Sequence, residues 1–380
     1  MLALVSAALT PQAQEALARE RSWRLRHVPL VADAVRGMSQ AARGAVRALV
    51  IEAEPVGAAL LSELDGLELI ACLRSDPVNV DVAAATARGV AVVHTPGRNA
   101  EAVADFTLGL CLAVVRNIAV GHHGIVSGEL TADAPARGLL VAAGDKIWRP
   151  ENPDAPIPYV RYKGRELASL SLGVIGFGAT GRAVARRFAG LVREILVTDP
   201  AVPAGEISGS GCVPASLAEL LATADVVTIH ARSSAQIIGR AELARMKQGS
   251  YLINTARATV LDYRALTDAL AAGHLRAAAL DVFPQEPLPT ASWLRTHPGL
   301  TLTPHLAGAS QEVAHRQSEI ILDAIRGVYA DDSDWSRLPV RNPELAGAWR
   351  HGRPGRQSPG SAARTPAGDP APRATTGDRP

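Results

Sequence analysis

The sequence predicts an α/β protein with two parallel-sheet domains. Short apolar segments alternate with Ala-rich segments of helical pattern, first over residues 1 to about 103 and again from about 170 to 304. Strands that alternate with helices pair in parallel, because each connection crosses the sheet as a helix. The length of 380 residues is a second observation, since it is large for a single hydrophobic core and suits two domains.

The first series begins at the N-terminus. Its apolar stretch before Thr10 is too short to span a membrane and lacks the basic start of a leader, so we interpret it as the first strand. The pattern predicts strands at Leu2–Val5, Ala48–Ile51, Leu69–Leu73 and Val90–Val93. It predicts helices at Gln12–Arg19, Val56–Leu64 and Val82–Arg88.

A glycine motif opens the second series. Gly176, Gly178 and Gly181 follow the apolar strand Ser171–Ile175, and a helical pattern comes after them. In this spacing the first glycine permits a tight turn, the second lets the backbone approach a pyrophosphate, and the third lets the helix pack on the strand. Asp199 ends the next strand, where a carboxylate would bind the ribose hydroxyls of a dinucleotide and repel a 2′-phosphate. The motif therefore predicts a Rossmann-like domain that favours NAD over NADP.

The remaining segments complete a two-domain plan. Further strands are predicted near Leu172, Ile195, Val226, Tyr251, Ala278 and Leu300. Residues 1–103 and 306–345 are assigned to one domain, of a Rossmann-like or flavodoxin-like type, and residues 104–305 to a nucleotide-binding domain inserted in it. An irregular excursion over 121–164 interrupts the inserted domain. We expect a disordered tail over 346–380, because its Gly, Pro, Arg and Ser residues offer little apolar surface to bury.

Composition restricts the classes of partner. The net charge of +2 gives no general attraction to nucleic acid or to a membrane surface, and we expect neither as a partner. In the tail, Asp369 and Asp378 dilute the basic charge, and no aromatic residues are interleaved as in nucleic-acid-binding arms. Cys72, Cys111 and Cys212 lack metal-ligand spacing, so we expect free thiols, no metal site and a cytoplasmic location.

Three segments after the glycine motif carry a more specific signal. They read Y-L-I-N-T-A-R-A-T-V-L-D (Tyr251–Asp262), A-A-L-D-V-F-P-Q-E-P-L-P (Ala278–Pro289) and L-T-P-H-L-A-G-A-S (Leu302–Ser310). Together with Ala224–His230 and Asn79–Thr107, they resemble the ordered signatures of the D-isomer-specific 2-hydroxyacid dehydrogenases, phosphoglycerate dehydrogenase-like members among them. The resemblance implies an oxidoreductase that uses NAD to interconvert a D-2-hydroxy acid and its 2-oxo acid by hydride transfer.

The resemblance places the catalytic residues of that family at Arg257, Glu286 and His305. A guanidinium can hold a carboxylate in a bidentate pair and polarise the neighbouring carbonyl. A histidine can take a hydroxyl proton in oxidation and return it in reduction, while a glutamate fixes its tautomer and stabilises the imidazolium. Each residue alone could be structural. Their joint occurrence, in order, after a dinucleotide motif favours catalysis.

The resemblance also implies binding residues. Asp281 would accept a hydrogen bond from the nicotinamide carboxamide, with a strand-end cap as the alternative. Other cofactor positions are expected at the pyrophosphate (Ala179, Thr180), beside the nicotinamide (Thr255, Ala256) and on the adenosine side (Ala231, Arg232). A loop would bind the substrate carboxylate through its backbone N–H groups, and its candidate residues are Arg74, Ser75, Asp76 and Asn79.

Three positions depart from the family pattern. Asp76 stands where a glycine is usual, and a carboxylate there would disfavour highly anionic substrates unless it points away. Arg232 replaces a common proline and could approach the adenosine ribose, which would relax discrimination against NADP. Ala258 replaces the glycine after the catalytic arginine, and its methyl group requires a backbone with negative φ.

Two other functions fit a similar fold. Formate and phosphite dehydrogenases share the nucleotide-binding unit, but the formate enzymes typically place Gln at the position of Glu286. The C-terminal-binding corepressors keep both the fold and the catalytic residues, so a dinucleotide-sensing interaction protein stays an alternative. Relatives commonly dimerise through the nucleotide domain, and the resemblance therefore implies a homodimer.

Overall fold

A computed structural model describes residues 1–130 and 162–351 of the chain. These residues form two parallel sheets, one of five strands and one of seven. The predicted α/β class with two parallel-sheet domains is thereby confirmed. Residues 131–161 of the predicted excursion and residues 352–380 of the predicted tail lie outside the described residues.

The first sheet has the strand order β2-β1-β3-β4-β5 and packs apolar residues on both of its faces. Its strands are β1 (Leu2–Val5), β2 (Arg24–His27), β3 (Val46–Ile51), β4 (Leu69–Cys72) and β5 (Ala91–His94). Its helices are α1 (Pro11–Arg21), α2 (Val31–Arg36), α3 (Gln40–Gly44), α4 (Ala58–Ser62) and α5 (Val82–Ala87). The sequence pattern missed β2, because this edge strand is mostly polar and none of its residues is fully buried.

The second sheet has the strand order β12-β11-β10-β9-β6-β7-β8. Its strands are β6 (Ser171–Ile175), β7 (Glu194–Thr198), β8 (Val213–Pro214), β9 (Val226–Ile229), β10 (Ser250–Asn254), β11 (Leu275–Leu280) and β12 (Leu300–Leu302). The helices between them are α8 (Ala179–Phe188), α9 (Ala204–Gly209), α10 (Leu217–Thr223), α11 (Arg240–Arg245) and α12 (Tyr263–Ala271). Because β6 pairs with both β7 and β9, the order of the strands reverses at β6, where a dinucleotide-binding sheet places its ligand.

Two long helices connect the domains. Helix α6 (Ala100–Val115) packs along α8, and its apolar side chains belong to the core of the second sheet. Helix α13 (Gln311–Tyr329) returns to the first sheet and packs on it through Ile321, Ile325 and Val328. The chain therefore passes from one domain to the other just before each of these helices.

Helix α7 (Ile118–Val126) follows α6 at a bend of 68°. In the part of the chain that the structure describes, no single helix is long and apolar enough to cross a membrane. The bent pair of α6 and α7 reaches the required length and composition only when the two are taken together. Since α6 is mostly buried in the core of the second domain, its surroundings are those of a core helix.

A short helix, α14 (Ala346–His351), lies within the region predicted as a disordered tail. Trp349 in this helix is buried, and its ring packs edge-on against the rings of Tyr329 and Trp335, with centroids 5.1 Å apart in both pairs. The composition of 346–380 hides this anchor, because one large aromatic side chain is enough to attach a helix that is otherwise poor in apolar residues. The regular structure thus extends past the predicted start of the tail.

Candidate active site

A cleft of about 1160 Å³ opens beside the carboxyl end of β6. The glycine motif and the ends of β7 and β9 line it from the second domain. Pro96 and Gly97 line it from the segment that follows β5. A Cβ atom on Gly97 would lie 2.9 Å from Cβ of Ala179, so this segment packs closely against the start of α8. Both domains therefore contribute walls to one cleft.

The glycine motif forms a tight turn at the edge of this cleft. Gly176 has a φ of +93°, and a Cβ atom there would lie 2.6 Å from the backbone nitrogen of Ala231. A Cβ atom on Gly181 would lie 2.0 Å from the carbonyl oxygen of Gly176, whereas one on Gly178 would meet no other atom within 4 Å. Packing therefore requires the first and third glycines, and the second leaves open the space that a pyrophosphate would occupy.

Asp199 directly follows β7 and lines the same cleft. Its Oδ2 accepts a 2.6 Å hydrogen bond from the N–H of Phe177, and its Oδ1 accepts a 2.8 Å bond from the N–H of Ala201. Both oxygens keep further lone pairs for ribose hydroxyls. Helix α8 begins at Ala179, which with Thr180 lines the cleft, so the positive end of the helix dipole lies at the same place. These residues fit NAD as the cofactor.

The three predicted catalytic residues follow the neighbouring strands β10, β11 and β12. Nδ1 of His305 lies 2.7 Å from Oε2 of Glu286, and Oε1 of Glu286 accepts a 2.9 Å hydrogen bond from the N–H of Phe283. The structure thus brings Glu286 and His305 together. Because Nδ1 is engaged by the carboxylate, Nε2 is the ring nitrogen left for a substrate.

Arg257 is exposed at the same edge of the sheet. Its Nη1 donates to the carbonyl oxygen of the preceding residue, Ala256, at 2.7 Å, and it makes no ion pair within the described ranges. Partial burial raises the pKa of Glu286, but hydrogen bonds from His305 and from the N–H of Phe283, with the charge of Arg257, outweigh burial and hold that pKa below its usual range. The site therefore presents an exposed guanidinium near a charged carboxylate.

His305 has a left-handed backbone conformation, with a φ of +54°. This conformation is uncommon for residues with a side chain and persists only where the surrounding structure holds it. The N–H of His305 donates to the carbonyl oxygens of Asp281 and Thr303, at 2.9 and 3.0 Å. The loop around His305 is therefore tied to the end of β11.

The predicted substrate loop follows β4 in the first domain. The carbonyl oxygen of Ser75 in this loop accepts a 3.0 Å hydrogen bond from Nδ1 of His94. The side-chain nitrogen of Asn79 donates to the carbonyl oxygens of Glu54, at 2.7 Å, and Glu52, at 3.3 Å. Asn79 therefore anchors the base of the loop through its side chain, and its contact with a substrate stays a prediction.

Two atypical residues meet near this loop. Nη1 of Arg232, from the second domain, donates to the carbonyl oxygen of Ser75 at 3.5 Å, across the cleft. Oδ1 of Asp76 lies 3.7 Å from Nη2 of Arg341. The guanidinium of Arg232 thus contacts the substrate loop, while its residue also lines the cleft with Asp199, and its approach to the adenosine ribose stays a prediction. The charge of Asp76 is opposed by a cation, which weakens the expected exclusion of highly anionic substrates.

Asp281 is fully buried. Its Oδ1 accepts hydrogen bonds from the hydroxyl of Thr303, at 2.6 Å, and from the N–H of Leu306, at 2.8 Å. Its Oδ2 accepts a 2.8 Å bond from the N–H of Ala307. These contacts are the ones expected of a strand-end cap, because they hold the loop that carries His305. A contact of Asp281 with nicotinamide stays a prediction.

The other predicted cofactor residues follow β9 and β10. Ala231 lines it beside Arg232. Thr255 is buried, with its hydroxyl 3.3 Å from that of Thr107, and the N–H of Ala256 donates to the side chain of the last residue of β10. Ala258 begins a 3-10 turn, whose negative φ accommodates its methyl group.

Sequence reasoning missed His94, Arg341 and Asn254. The first two support the substrate loop from the end of β5 and from the segment after α13, and no local pattern indicates that partnership. Asn254 did leave a signal, because an amide at the end of an apolar strand must satisfy its hydrogen bonds when it is buried.

Known proteins are similar in sequence to this chain. A family model described as "D-isomer specific 2-hydroxyacid dehydrogenase, NAD binding domain" matches residues 148–307. The chain is 33% identical over 283 residues to a glyoxylate reductase of Thermofilum pendens, and the match covers 72% of this chain and 75% of the relative. It is 34% identical over 281 residues to a D-3-phosphoglycerate dehydrogenase of Mycobacterium leprae, and this match covers 73% of the chain. The matched region spans about half of that dehydrogenase, 48% of its length.

Solved structures show the same fold. The TT0316 protein from Thermus thermophilus superposes with a TM-score of 0.65 at 30% identity, covering 89% of this chain and 98% of that one. The D-mandelate dehydrogenase of Rhodotorula graminis superposes with a TM-score of 0.70 at 24% identity, covering 85% of this chain and 93% of that one, and at this identity it supports the fold alone. The chain belongs to the D-isomer specific 2-hydroxyacid dehydrogenase family, whose members are NAD-dependent dehydrogenases that act on CH–OH groups.

Proposed function

We propose that this chain interconverts a D-2-hydroxy acid and its 2-oxo acid, with NAD as the partner in hydride transfer. The observation that carries the proposal is the 2.7 Å contact between His305 and Glu286 at the sheet edge where Arg257 is exposed. These groups supply a proton acceptor, its charged partner and a carboxylate binder beside a dinucleotide cleft.

The residues divide the work of the reaction. Arg257 binds the substrate carboxylate as a bidentate pair, and backbone N–H groups of the loop at Arg74–Asn79 approach it from the first domain. Nε2 of His305 accepts the proton of the C2 hydroxyl in oxidation and returns it in reduction. Glu286 stabilises the imidazolium that forms in oxidation. NAD, when it is bound, supplies the acceptor for the hydride of C2.

Closure of the cleft completes the site. The contact of Arg232 with the carbonyl oxygen of Ser75 joins the two domains at the mouth of the cleft. Movement of the first domain toward the second excludes water and brings the substrate loop to Arg257. We include Arg232 in the site as a residue that acts on this loop.

We also propose that the chain acts as a homodimer in the cytoplasm, without nucleic acid or membrane as a partner. Helix α7 exposes apolar side chains: Ile118, Ile125 and Val126 are 56%, 58% and 71% exposed. Contact of these apolar side chains with a second copy of the chain is more favourable than their contact with water. Light scattering on a size-exclusion column tests the dimer, and a monomer at micromolar concentration would contradict it.

The activity is tested by the absorbance of NADH during incubation with a panel of 2-oxo acids. The panel contains glyoxylate, pyruvate, hydroxypyruvate, 3-phosphohydroxypyruvate and phenylglyoxylate, each with NADH and with NADPH. We expect turnover with at least one acid and a preference for NADH. Tight NADH binding without turnover on any acid would contradict the proposal and favour the dinucleotide-sensing alternative.

A further inference from the structure

Tyr263 is a buried residue to which the proposed reaction assigns no role. It is the first residue of α12, and only 6% of it is exposed. Asp262 caps the helix by accepting a 3.0 Å hydrogen bond from the N–H of Ala265, and Leu266, one turn further along, is fully buried in the core of the second domain. The ring of Tyr263 therefore projects from a helix that is held firmly against the second sheet.

The phenol hydroxyl of Tyr263 reaches the segment that follows β11. It donates a 2.6 Å hydrogen bond to the carbonyl oxygen of Val282, and this bond is buried. Burial raises the pKa of the Tyr263 phenol above its usual value, so the hydroxyl keeps its proton and is a donor at neutral pH. The carbonyl group of Val282 is thereby held from its buried side.

The same peptide group also holds Glu286. The carbonyl oxygen of Val282 and the N–H of Phe283 belong to one planar trans peptide, so they point in opposite directions. That N–H donates to Oε1 of Glu286 at 2.9 Å, and Oε2 of Glu286 lies 2.7 Å from Nδ1 of His305. A chain of hydrogen bonds therefore runs from the phenol of Tyr263, through one peptide group and one carboxylate, to the imidazole.

The carboxylate of Glu286 depends on this chain for its place. Its side chain is 36% exposed, and among the described residues it has two hydrogen-bond partners, the N–H of Phe283 and the ring of His305. A glutamate with this exposure can otherwise adopt several rotamers. An N–H group whose carbonyl is fixed on the other side cannot turn away from the carboxylate, and donation to that carbonyl polarises the peptide and strengthens the bond of its N–H.

We propose that Tyr263 is a positioning residue for proton transfer, because it holds Glu286 against His305 through the peptide that joins Val282 to Phe283. The alternative is that its hydroxyl only satisfies a buried carbonyl group, as most buried polar groups do. The inference rests on the roles proposed above for Glu286 and His305. It requires no contact of Tyr263 with the substrate or with NAD.

Tyr263→Phe in the full chain removes the phenol oxygen and keeps the ring. We expect the rate of a single turnover of NADH with a 2-oxo acid to fall by about threefold to tenfold, the effect of losing one neutral hydrogen bond, with the KM of the acid nearly unchanged. The acid is the member of the panel above that the parent chain reduces fastest. The enzyme is in excess of NADH, so slow variants are measurable and product release does not limit the rate.

A double-mutant cycle with Glu286→Ala tests the path of the effect. Because Glu286→Ala removes the carboxylate through which Tyr263 acts, Tyr263→Phe should change the rate by less than about twofold in that background. A fall by the same factor in both backgrounds would overturn the inference, since Tyr263 would then act on the fold in general. An unchanged rate in folded Tyr263→Phe would overturn it as well, since the hydroxyl would then only satisfy Val282.

Tyr329→Phe is the matched control. Tyr329 is also buried, and its hydroxyl lies 3.4 Å from Oε2 of Glu68 in the first domain. This variant should lower the Tm and leave the rate unchanged. If Tyr263→Phe does not fold, Tyr263→para-aminophenylalanine keeps the ring and a weaker N–H donor, and the rate should fall by about twofold in the parent chain and stay the same in Glu286→Ala.

The Kd of NADH, measured by fluorescence titration, separates a further outcome. A raised Kd with an unchanged rate in Tyr263→Phe would overturn the inference and assign the segment after β11 to the cofactor site. Failure of the proposed function looks different, because the parent chain would then reduce no acid of the panel, or Glu286→Ala and His305→Asn would keep its full rate.

Discussion

The two walls of the cleft are built differently. On the nucleotide-domain wall, Arg257, Glu286 and His305 lie in the turns after β10, β11 and β12, and bonds of 2.6 to 3.0 Å hold these turns. On the first-domain wall, the outward side of the substrate loop meets Arg232 at 3.5 Å and Arg341 at 3.7 Å. Under the proposed function, the chemistry therefore rests on strand ends that the sheet holds, while selection of the acid rests on a loop whose contacts across the cleft are longer.

The largest effect is expected at the glycine turn of the nucleotide-domain wall. In Gly181→Ala the new Cβ atom would lie 2.0 Å from the carbonyl oxygen of Gly176, so α8 must shift, and we expect a lower Tm and loss of NADH binding. In Gly178→Ala the Cβ atom meets open space, so the Tm should stay and only the Kd of NADH should rise. Calorimetry and fluorescence titration separate the two, and equal effects would contradict the division of roles.

A smaller effect is expected when a lysine replaces Arg257 on the nucleotide-domain wall. Arg257→Lys keeps the charge but removes the bidentate fork, so we expect the KM of a 2-oxo acid to rise by roughly tenfold to a hundredfold. The Kd of NADH should not change. Steady-state kinetics check both values, and an unchanged KM would assign the substrate carboxylate to another group.

The partner of His305 is expected to change the pH dependence. The pKa of Glu286 is held below its usual range, so the carboxylate is charged at neutral pH and favours the imidazolium. In Glu286→Gln this support is lost. Reduction needs the protonated ring, so its rate should fall in the variant, whereas the parent should lose the support of the carboxylate only where Glu286 itself becomes protonated, below the usual range of a glutamate. Identical pH profiles for variant and parent would show that the contact has no role in proton transfer.

The smallest effect is expected on the first-domain wall. Arg232→Gln removes an exposed charge that contacts Ser75 at 3.5 Å, and we expect a rise in the KM of the 2-oxo acid of about twofold to fivefold. The preference for NADH over NADPH should not change, because the guanidinium is turned to the loop. A large change in that preference would instead show that Arg232 acts at the adenosine ribose.

The same contrast explains what could be predicted from the sequence. The turn of Gly176, Gly178 and Gly181 was predictable because its geometry is local and only glycine satisfies it. The grouping of His305 with Glu286 followed from a family resemblance, since nothing local indicates that separate strand ends meet. Both predictions concern the nucleotide-domain wall.

The remaining features depend on partners that are distant in the sequence. Arg232 contacts Ser75 of the other domain, and Asp76 lies near Arg341, which comes 265 residues later in the chain. The composition of residues 346–380 predicts a tail at Trp349, because it is poor in apolar residues. The ring of Trp349 nevertheless packs against Tyr329 and Trp335, which lie earlier in the chain. Tertiary contacts of this kind override local pattern.

The most direct test of the central claim is the reduction of 2-oxo acids by His305→Asn. Asparagine tolerates the left-handed backbone of this position but cannot act as the proton donor. We predict that turnover falls by about a hundredfold or more, with the Kd of NADH and the Tm unchanged. A rate within a few-fold of the parent chain would contradict the account, because proton transfer would then not pass through His305.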